Sequence, residues 1–392
     1  MKNTYTKLFN GAVITPGGIL RDAHILFSEG KIVEISRQNT EIEGAQLIDA
    51  RGAYIAPGCI DIHVHGGGGR DFIEATPEAF YAVTGAHARY GTTAIYPTLA
   101  ASPRAVFDRA IQTCETIMNE PGEGARIMGL HLEGNYLNPL MRGGQDPASI
   151  YPPWPEEYRE ILEHSRCVRR WSASPELDGA LTFGRYASQR GVLVSIAHTT
   201  ATYPQVKAAL EAGYRHVTHF YNAMTGVHRA GGFKHEGTIE SVYLMNDDLT
   251  VELVGDGIHV PPTLLQLVYK IMGAARIALV TDSMLAAACP EVGEMYGGRV
   301  IIEDGVCKLA DRSAIAGSIA TMNRTICTMT QQAGLPLTEA VRMASETPAT
   351  IMGINDRKGS LAPGKDADII LFDPDINVLA TIIEGKIVYK AL

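Results

Sequence analysis

Glu133 closes the apolar run Leu130-His131-Leu132-Glu133-Gly134-Asn135. A glutamate carried into an interior in this way is almost never left without something positive to meet it. Two histidines stand in comparable places: His198 after the run 192–197, and His219 in Val217-Thr218-His219-Phe220. Two imidazoles and one carboxylate can hold a divalent ion and leave positions open for water and substrate, as catalytic zinc or iron sites do. His131 shares strand parity with Glu133 and is the rival ligand in that run. His219 is preferred to His216 because side chains on a strand alternate, which puts Val217 and His219 on one face and His216 on the other.

His63-Val64-His65 offers a second pair of imidazoles on one strand face. Together they could chelate a second ion, and the glycines at 66–69 leave the backbone open to a ligand. The plainer reading is a pair of histidines bonded to carbonyls. Asp282, in Leu279-Val280-Thr281-Asp282-Ser283-Met284, would be ionised beside a cation. It could take a proton from an attacking water and return it to a leaving amine; the alternative is an aspartate capping the next helix.

These groups need a scaffold that brings distant segments together. Eight strand-like apolar runs are predicted, at 59–65, 92–99, 126–133, 170–175, 192–198, 217–221, 250–255 and 276–282, with helical stretches at 77–90, 103–118, 203–212 and 262–272. Strand–helix alternation with strands apolar on both faces implies a parallel sheet, and eight such units imply a TIM-like (β/α)8 barrel. His63, His65, Glu133, His198, His219 and Asp282 all fall at or near the ends of these runs, which in a barrel is the catalytic face. Both termini read instead as short strands and turns, so residues 1–57 and 359–392 are expected to form one small β-sandwich domain and 58–358 the barrel. Asp304-Gly305 marks a hairpin after the last barrel strand.

Composition narrows the function. The chain has 392 residues, 46% hydrophobic and 20% charged, which suits a soluble globular protein of this architecture. A net charge of −9 without a Lys/Arg run argues against a nucleic-acid partner but permits a small anionic substrate. Six scattered cysteines with no CxxC pair argue against a disulfide framework or a structural zinc site. No signal-like segment opens the sequence, and no stretch is long and apolar enough to span a membrane, so a cytoplasmic protein is expected.

The motifs Pro57-Gly58-Cys59-Ile60-Asp61, His131-Leu132-Glu133-Gly134, Ala197-His198-Thr199, Thr218-His219-Phe220-Tyr221-Asn222-Ala223-Met224, Gly255-Asp256-Gly257-Ile258-His259, Thr281-Asp282 and Ala316-Gly317-Ser318 run nearly end to end. In them the chain resembles the N-acetylglucosamine-6-phosphate deacetylases of the amidohydrolase superfamily. The resemblance implies hydrolysis of the acetamido group of an amino-sugar phosphate, a barrel with a small β domain, and a homodimer. It implies one or two divalent ions (Zn, Fe, Co or similar) per subunit. Glu133, His198 and His219 would hold the catalytic ion, and His63 and His65 a second, with Glu133 as the bridge. Asp282 would be the acid/base, Asn222 and Ala223 would meet the phosphate end, and His259 the sugar.

Three places depart from the family pattern. Gln145 stands where a histidine often faces the scissile carbonyl, and its amide N–H can still donate to a developing oxyanion. The phosphate-binding arginine is expected at Arg229, with Lys234 as rival, in an altered run Val227-His228-Arg229-Ala230-Gly231-Gly232-Phe233-Lys234. Asn135 and Asn323 stand where Pro and Asp are common. Other readings are an N-acetylgalactosamine-6-phosphate deacetylase, a cyclic-amide hydrolase, and a catalytically silent barrel. The fourth run, Arg170-Trp171-Ser172-Ala173-Ser174-Pro175, lacks the lysine that carbamate-bridged cyclic-amide hydrolases need. A silent barrel would be expected to have lost ligands that are all present here.

Overall fold

The computed structural model describes residues 5–38, 40–120, 122–289 and 298–391. Eight parallel strands form the barrel: Cys59–Val64, Thr92–Ala100, Leu130–Glu133 (with a short preceding piece, Arg126–Ile127), Val168–Ala173, Leu193–Ile196, Tyr214–Val217, Thr250–Val254 and Ile277–Val280. Most are buried along their length, as a sheet covered on its outer face by helices requires. The seam between the first and last strands is sewn just beyond their ends, where Asp282 N–H donates to the His63 carbonyl and His65 N–H to that of Ser283, each at 2.9 Å.

The expected helices are present. Pro77–Ala88 starts where Thr76 accepts the Ala79 N–H, and Arg104–Ile117, Tyr203–Glu211 and Pro262–Met272 turn apolar faces to the strands. Asp304-Gly305 forms the tight turn between Val300–Glu303 and Val306–Leu309, with left-handed φ of 53° and 79°.

The sixth strand differs from expectation. It spans Tyr214–Val217, three residues earlier than the run 217–221, and ends where that run was to begin. Gly213, at φ 94°, provides the turn that starts it.

A separate eight-stranded, mainly antiparallel sheet draws its strands from Tyr5–Pro57 and Ile369–Lys390, with Tyr54–Pro57 pairing Ile369–Phe372 at the join. Its own apolar core includes Leu8, Val13, Ile25, Ile55, Leu371 and Ile382. No helix among the described residues is long and apolar enough to cross a membrane.

Candidate active site

The barrel lumen is polar. His131, Arg170, Ser172, Ser195, His216, Thr218 and Glu252 are all fully buried there. Arg170 donates to Ser195 Oγ, the Ile62 carbonyl, Thr218 Oγ1 and Glu252, which ties the first, fourth, fifth, sixth and seventh strands together.

Above this layer three chemical groups are presented by one backbone device. His198, His219 and Asp282 each follow their strand's last residue by two positions, and each has a left-handed φ (45°, 30° and 47°). Such φ costs a non-glycine residue about 1–2 kcal/mol. It turns the side chain off the strand's alternation and over the mouth. The parity argument for His219 is therefore corrected: His216 and Thr218 point into the lumen, and His219 reaches the mouth because it has left the strand. His216 bonds Thr250 Oγ1 and lies 3.4 Å from Glu252, too deep to reach the mouth. His131 lies within hydrogen-bond distance of Thr98 and Ser172 hydroxyls, and so belongs to the lumen.

Glu133 sits at the centre of the mouth. Its oxygens lie 3.0 Å from His219, 3.2 Å from His65, 3.4 Å from His198 and 3.5 Å from His63, all at Nε2. His63 and His65 also approach Asp282 Oδ1, at 3.4 and 3.2 Å. Gln145 donates to Glu133 Oε2 and accepts the Ala101 N–H, both at 2.8 Å, so one of its two amide hydrogens is engaged in holding the carboxylate.

The ring nitrogens on the far side are engaged as well. Nδ1 of His63 meets Glu252 at 2.5 Å, that of His198 the Met141 carbonyl at 2.7 Å, and that of His219 the Asn222 carbonyl at 3.1 Å. Those acceptors require Nδ1–H, which leaves the lone pairs on Nε2. The lone pairs then converge: His198 and His219 Nε2 are 3.1 Å apart, and those of His63 and His65 3.2 Å. Facing lone pairs around a carboxylate call for a cation, and two overlapping donor sets, His63–His65–Glu133 and Glu133–His198–His219, are close enough to share one each. The residues fit a divalent metal.

Burial by itself would depress the His63 imidazole, yet Glu252, Glu133 and Asp282 hold it well above its ordinary value; His65 is pushed up to about 9 by Asp282 and Glu133 against the same burial. Burial would raise both carboxyls, but His63, His198 and His219 keep Glu133 well below the usual carboxylate range, and His63 and His65 keep Asp282 below its ordinary value.

A cavity of about 740 Å³ opens above the cluster and is lined by His65, Glu133, Gln145, His198, His219, Asn222, Ala223, His259 and Asp282, with Arg142 and Arg299 on its wall. A larger one, about 860 Å³, lies among the loops at the other end of the barrel and contains none of these groups. Ten of the eleven expected site residues are thus gathered at one mouth, His63 just beneath it. Arg229 is not. It stands with Lys234 on an exposed hairpin, His228–Ala230 with Phe233–His235, outside the lining of the chain's own cavity.

The comparisons with known proteins agree with this geometry. The model of the amidohydrolase family matches residues 54–388.

The chain belongs to the amidohydrolase family.

Metal dependence goes with that membership. The N-acetylglucosamine-6-phosphate deacetylase of Bacillus subtilis (strain 168) is 29% identical over 383 residues, 96% of each chain. The N-acetylgalactosamine-6-phosphate deacetylase of Escherichia coli O157:H7 is 30% identical over 377 residues, 96% of this chain and 97% of that one. Among solved structures, the N-acetylglucosamine-6-phosphate deacetylase of Pasteurella multocida superposes with a TM-score of 0.91 at 26% identity, over 98% of this chain and 99% of that one. A mutant of the Mycobacterium smegmatis enzyme in complex with N-acetyl-D-glucosamine-6-phosphate gives 0.90 at 28% identity, over 99% and 100%.

Within this amidohydrolase barrel, sequence reasoning missed Glu252, Arg170 and Asp61. Asp61 accepts the Thr281 hydroxyl at 2.6 Å, joining the first strand to the segment that carries Asp282. The available signal was a charged residue alone inside an apolar strand, as in Thr250-Val251-Glu252-Leu253-Val254. Asn135 shapes the loop after Glu133 by pairing both amide atoms with the Ser102 backbone. Asn323 bonds the Ile376 carbonyl, far from the reacting groups in sequence and contact.

Proposed function

We propose that this amidohydrolase removes the N-acetyl group of N-acetylglucosamine 6-phosphate, giving glucosamine 6-phosphate and acetate. The observation that carries the reading is the mouth itself: converging Nε2 lone pairs around Glu133 with the Asp282 carboxylate beside them, under a cavity of about 740 Å³. That volume suits a phosphorylated monosaccharide.

Glu133, His198 and His219 would hold one divalent ion and His63 and His65 a second, which would supply Lewis acidity for the carbonyl and the water. Asp282, held ionised, takes a proton from the water as its oxygen bonds to the acetyl carbon. It delivers that proton to the amino-sugar nitrogen as the C–N bond breaks. Gln145 keeps Glu133 in register and has a second amide hydrogen for the carbonyl oxygen. His259, whose Nδ1 bonds Asp256 at 2.7 Å, offers Nε2 to a sugar hydroxyl, and Asn222 and Ala223 line the wall toward the phosphate.

The exposed hairpin supports a homodimer in which Arg229 reaches the cavity of a second copy and meets the phosphate, with Lys234 beside it. Arg142, in the chain's own wall, is the competing cation. A phosphorylated sugar as substrate is consistent with a cytoplasmic setting.

The test is acetate release from N-acetylglucosamine 6-phosphate, its galactose epimer and the unphosphorylated sugar, with metal content measured on the same sample. Turnover confined to the phosphorylated glucose sugar is expected. Preference for the epimer would move the reading to the N-acetylgalactosamine-6-phosphate activity of the Escherichia coli relative. Arg229→Ala should raise KM for the phosphorylated sugar far more than Arg142→Ala does, and the reverse order would place the phosphate in the chain's own wall.

A further inference from the structure

The three mouth histidines that have an Nδ1 acceptor are not backed alike. His198 and His219 lean on main-chain carbonyls, whereas His63 leans on a fully buried carboxylate, Glu252. Three donors engage Glu252 directly, and a second histidine lies beside it. Oε1 takes His63 Nδ1 at 2.5 Å and the His219 backbone N–H at 2.8 Å, and Oε2 takes Arg170 Nη1 at 2.5 Å and lies 3.4 Å from His216 Nε2. Arg170 is itself held by three neutral oxygens, so the carboxylate has no freedom to rotate away from His63. A carboxylate behind an imidazole fixes which nitrogen carries the proton and makes the other a stronger ligand.

We propose that Glu252, anchored by Arg170, is the positioning residue of the His63–His65 subsite: it keeps His63 Nε2 free and aimed at the mouth, and so determines whether a second ion is held beside the one at Glu133, His198 and His219. The proposal rests on the reading of His63 and His65 as ligands of a second ion. His198 and His219 take their Nδ1 acceptors from main-chain carbonyls, and Glu252 meets His219 only through its backbone N–H, so its loss should weaken the second ion more than the first.

The experiment reconstitutes metal-free protein with Mn(II) and measures, by chelator competition, how many equivalents bind and how tightly. Exchange coupling in the electron paramagnetic resonance spectrum reports a paired site. Glu252→Gln removes the charge. Since it leaves Arg170 buried without a counter-charge, Arg170→Met/Glu252→Leu removes both together and carries the test if the single variant fails to fold. Wild-type protein is expected to bind two coupled ions. In the folded variants the second should weaken about ten- to a hundredfold and the coupling should vanish, with the first ion, whose ligand His219 loses at most a backbone contact, weakened clearly less. Two ions held at wild-type affinity would overturn the proposal. Equal weakening of both would overturn it too, since that is what a purely structural role produces. A wild-type protein that holds one ion would instead overturn the two-ion reading on which it stands.

Discussion

Two clusters of buried charge in this molecule have similar ingredients and different outcomes. Where the terminal sheet meets the barrel, Asp366 and Asp368 surround Lys358, whose ammonium lies 3.0 and 2.6 Å from them and is almost wholly buried. Lys31 and Arg357 add further cations on Asp366, at 2.5 and 3.1 Å. At the barrel mouth, Glu133 and Asp282 face imidazoles and one amide, and no Lys or Arg pairs with either among the described residues. The chain provides its own cation at the junction and leaves the place open at the mouth. A closed cluster can serve only the fold, whereas an open one invites an ion from solution and keeps coordination positions for substrate.

The sharpest test of the open cluster is Asp282→Asn. Turnover of N-acetylglucosamine 6-phosphate should fall by about 10²–10⁴, the usual range for losing a general acid–base, while metal content stays at the wild-type level. A variant with near-parental turnover would remove Asp282 from the proton path. The closed cluster should respond in stability instead. Lys358→Met leaves the buried Asp368 without its cation, while Asp366 keeps Lys31 and Arg357, and should cost about 3–5 kcal/mol in denaturant unfolding, with kcat little changed. An equal loss of turnover in folded Lys358→Met protein would abolish the contrast.

Metal addition should act on one cluster only. At a hundredfold excess over its Kd, a divalent ion should stabilise metal-free protein by about 2.7 kcal/mol, and Glu133→Gln should lose most of that gain whereas Lys358→Met keeps it. Identical gains in all three proteins would place the ion elsewhere. The smallest effect concerns acid. Burial would raise the Asp366 carboxyl, but Lys31, Lys358 and Arg357 hold it below its ordinary 3.8. Its stabilising contribution is therefore present above 3.8 and disappears as pH falls through the lower folded value. The stability gap between wild type and Asp366→Asn should narrow between pH about 5 and about 2. A gap that widened on acidification would mean that Asp368, which burial holds above its ordinary value despite Lys358, dominates the junction.

How much of this was legible differs by residue. Glu133, His198, Asp282, His63 and His65 could be read because each sits beside an apolar run whose type is set over a few residues, and ligand chemistry is a property of residue type. His219 was chosen by a strand parity that the structure overturns, since the strand ends at Val217 and a left-handed backbone turns the side chain to the mouth. Arg229 was sought near phosphate by its distance from Asn222 along the chain, and the hairpin carries it out of the chain's own cavity.

Local pattern therefore determined the eight-strand barrel, the strand-built termini and the residue types able to bind a metal or carry a proton. Tertiary structure alone decided which nitrogen of each imidazole faces inward and which carboxylate receives no cation of its own. Those outcomes depend on partners far apart in the chain: His63 on Glu252, Glu252 on Arg170, Asp61 on Thr281. Hydrogen-bond direction and charge pairing are set by distances in the folded interior, where an unmatched group is costly, and no spacing along the sequence encodes them.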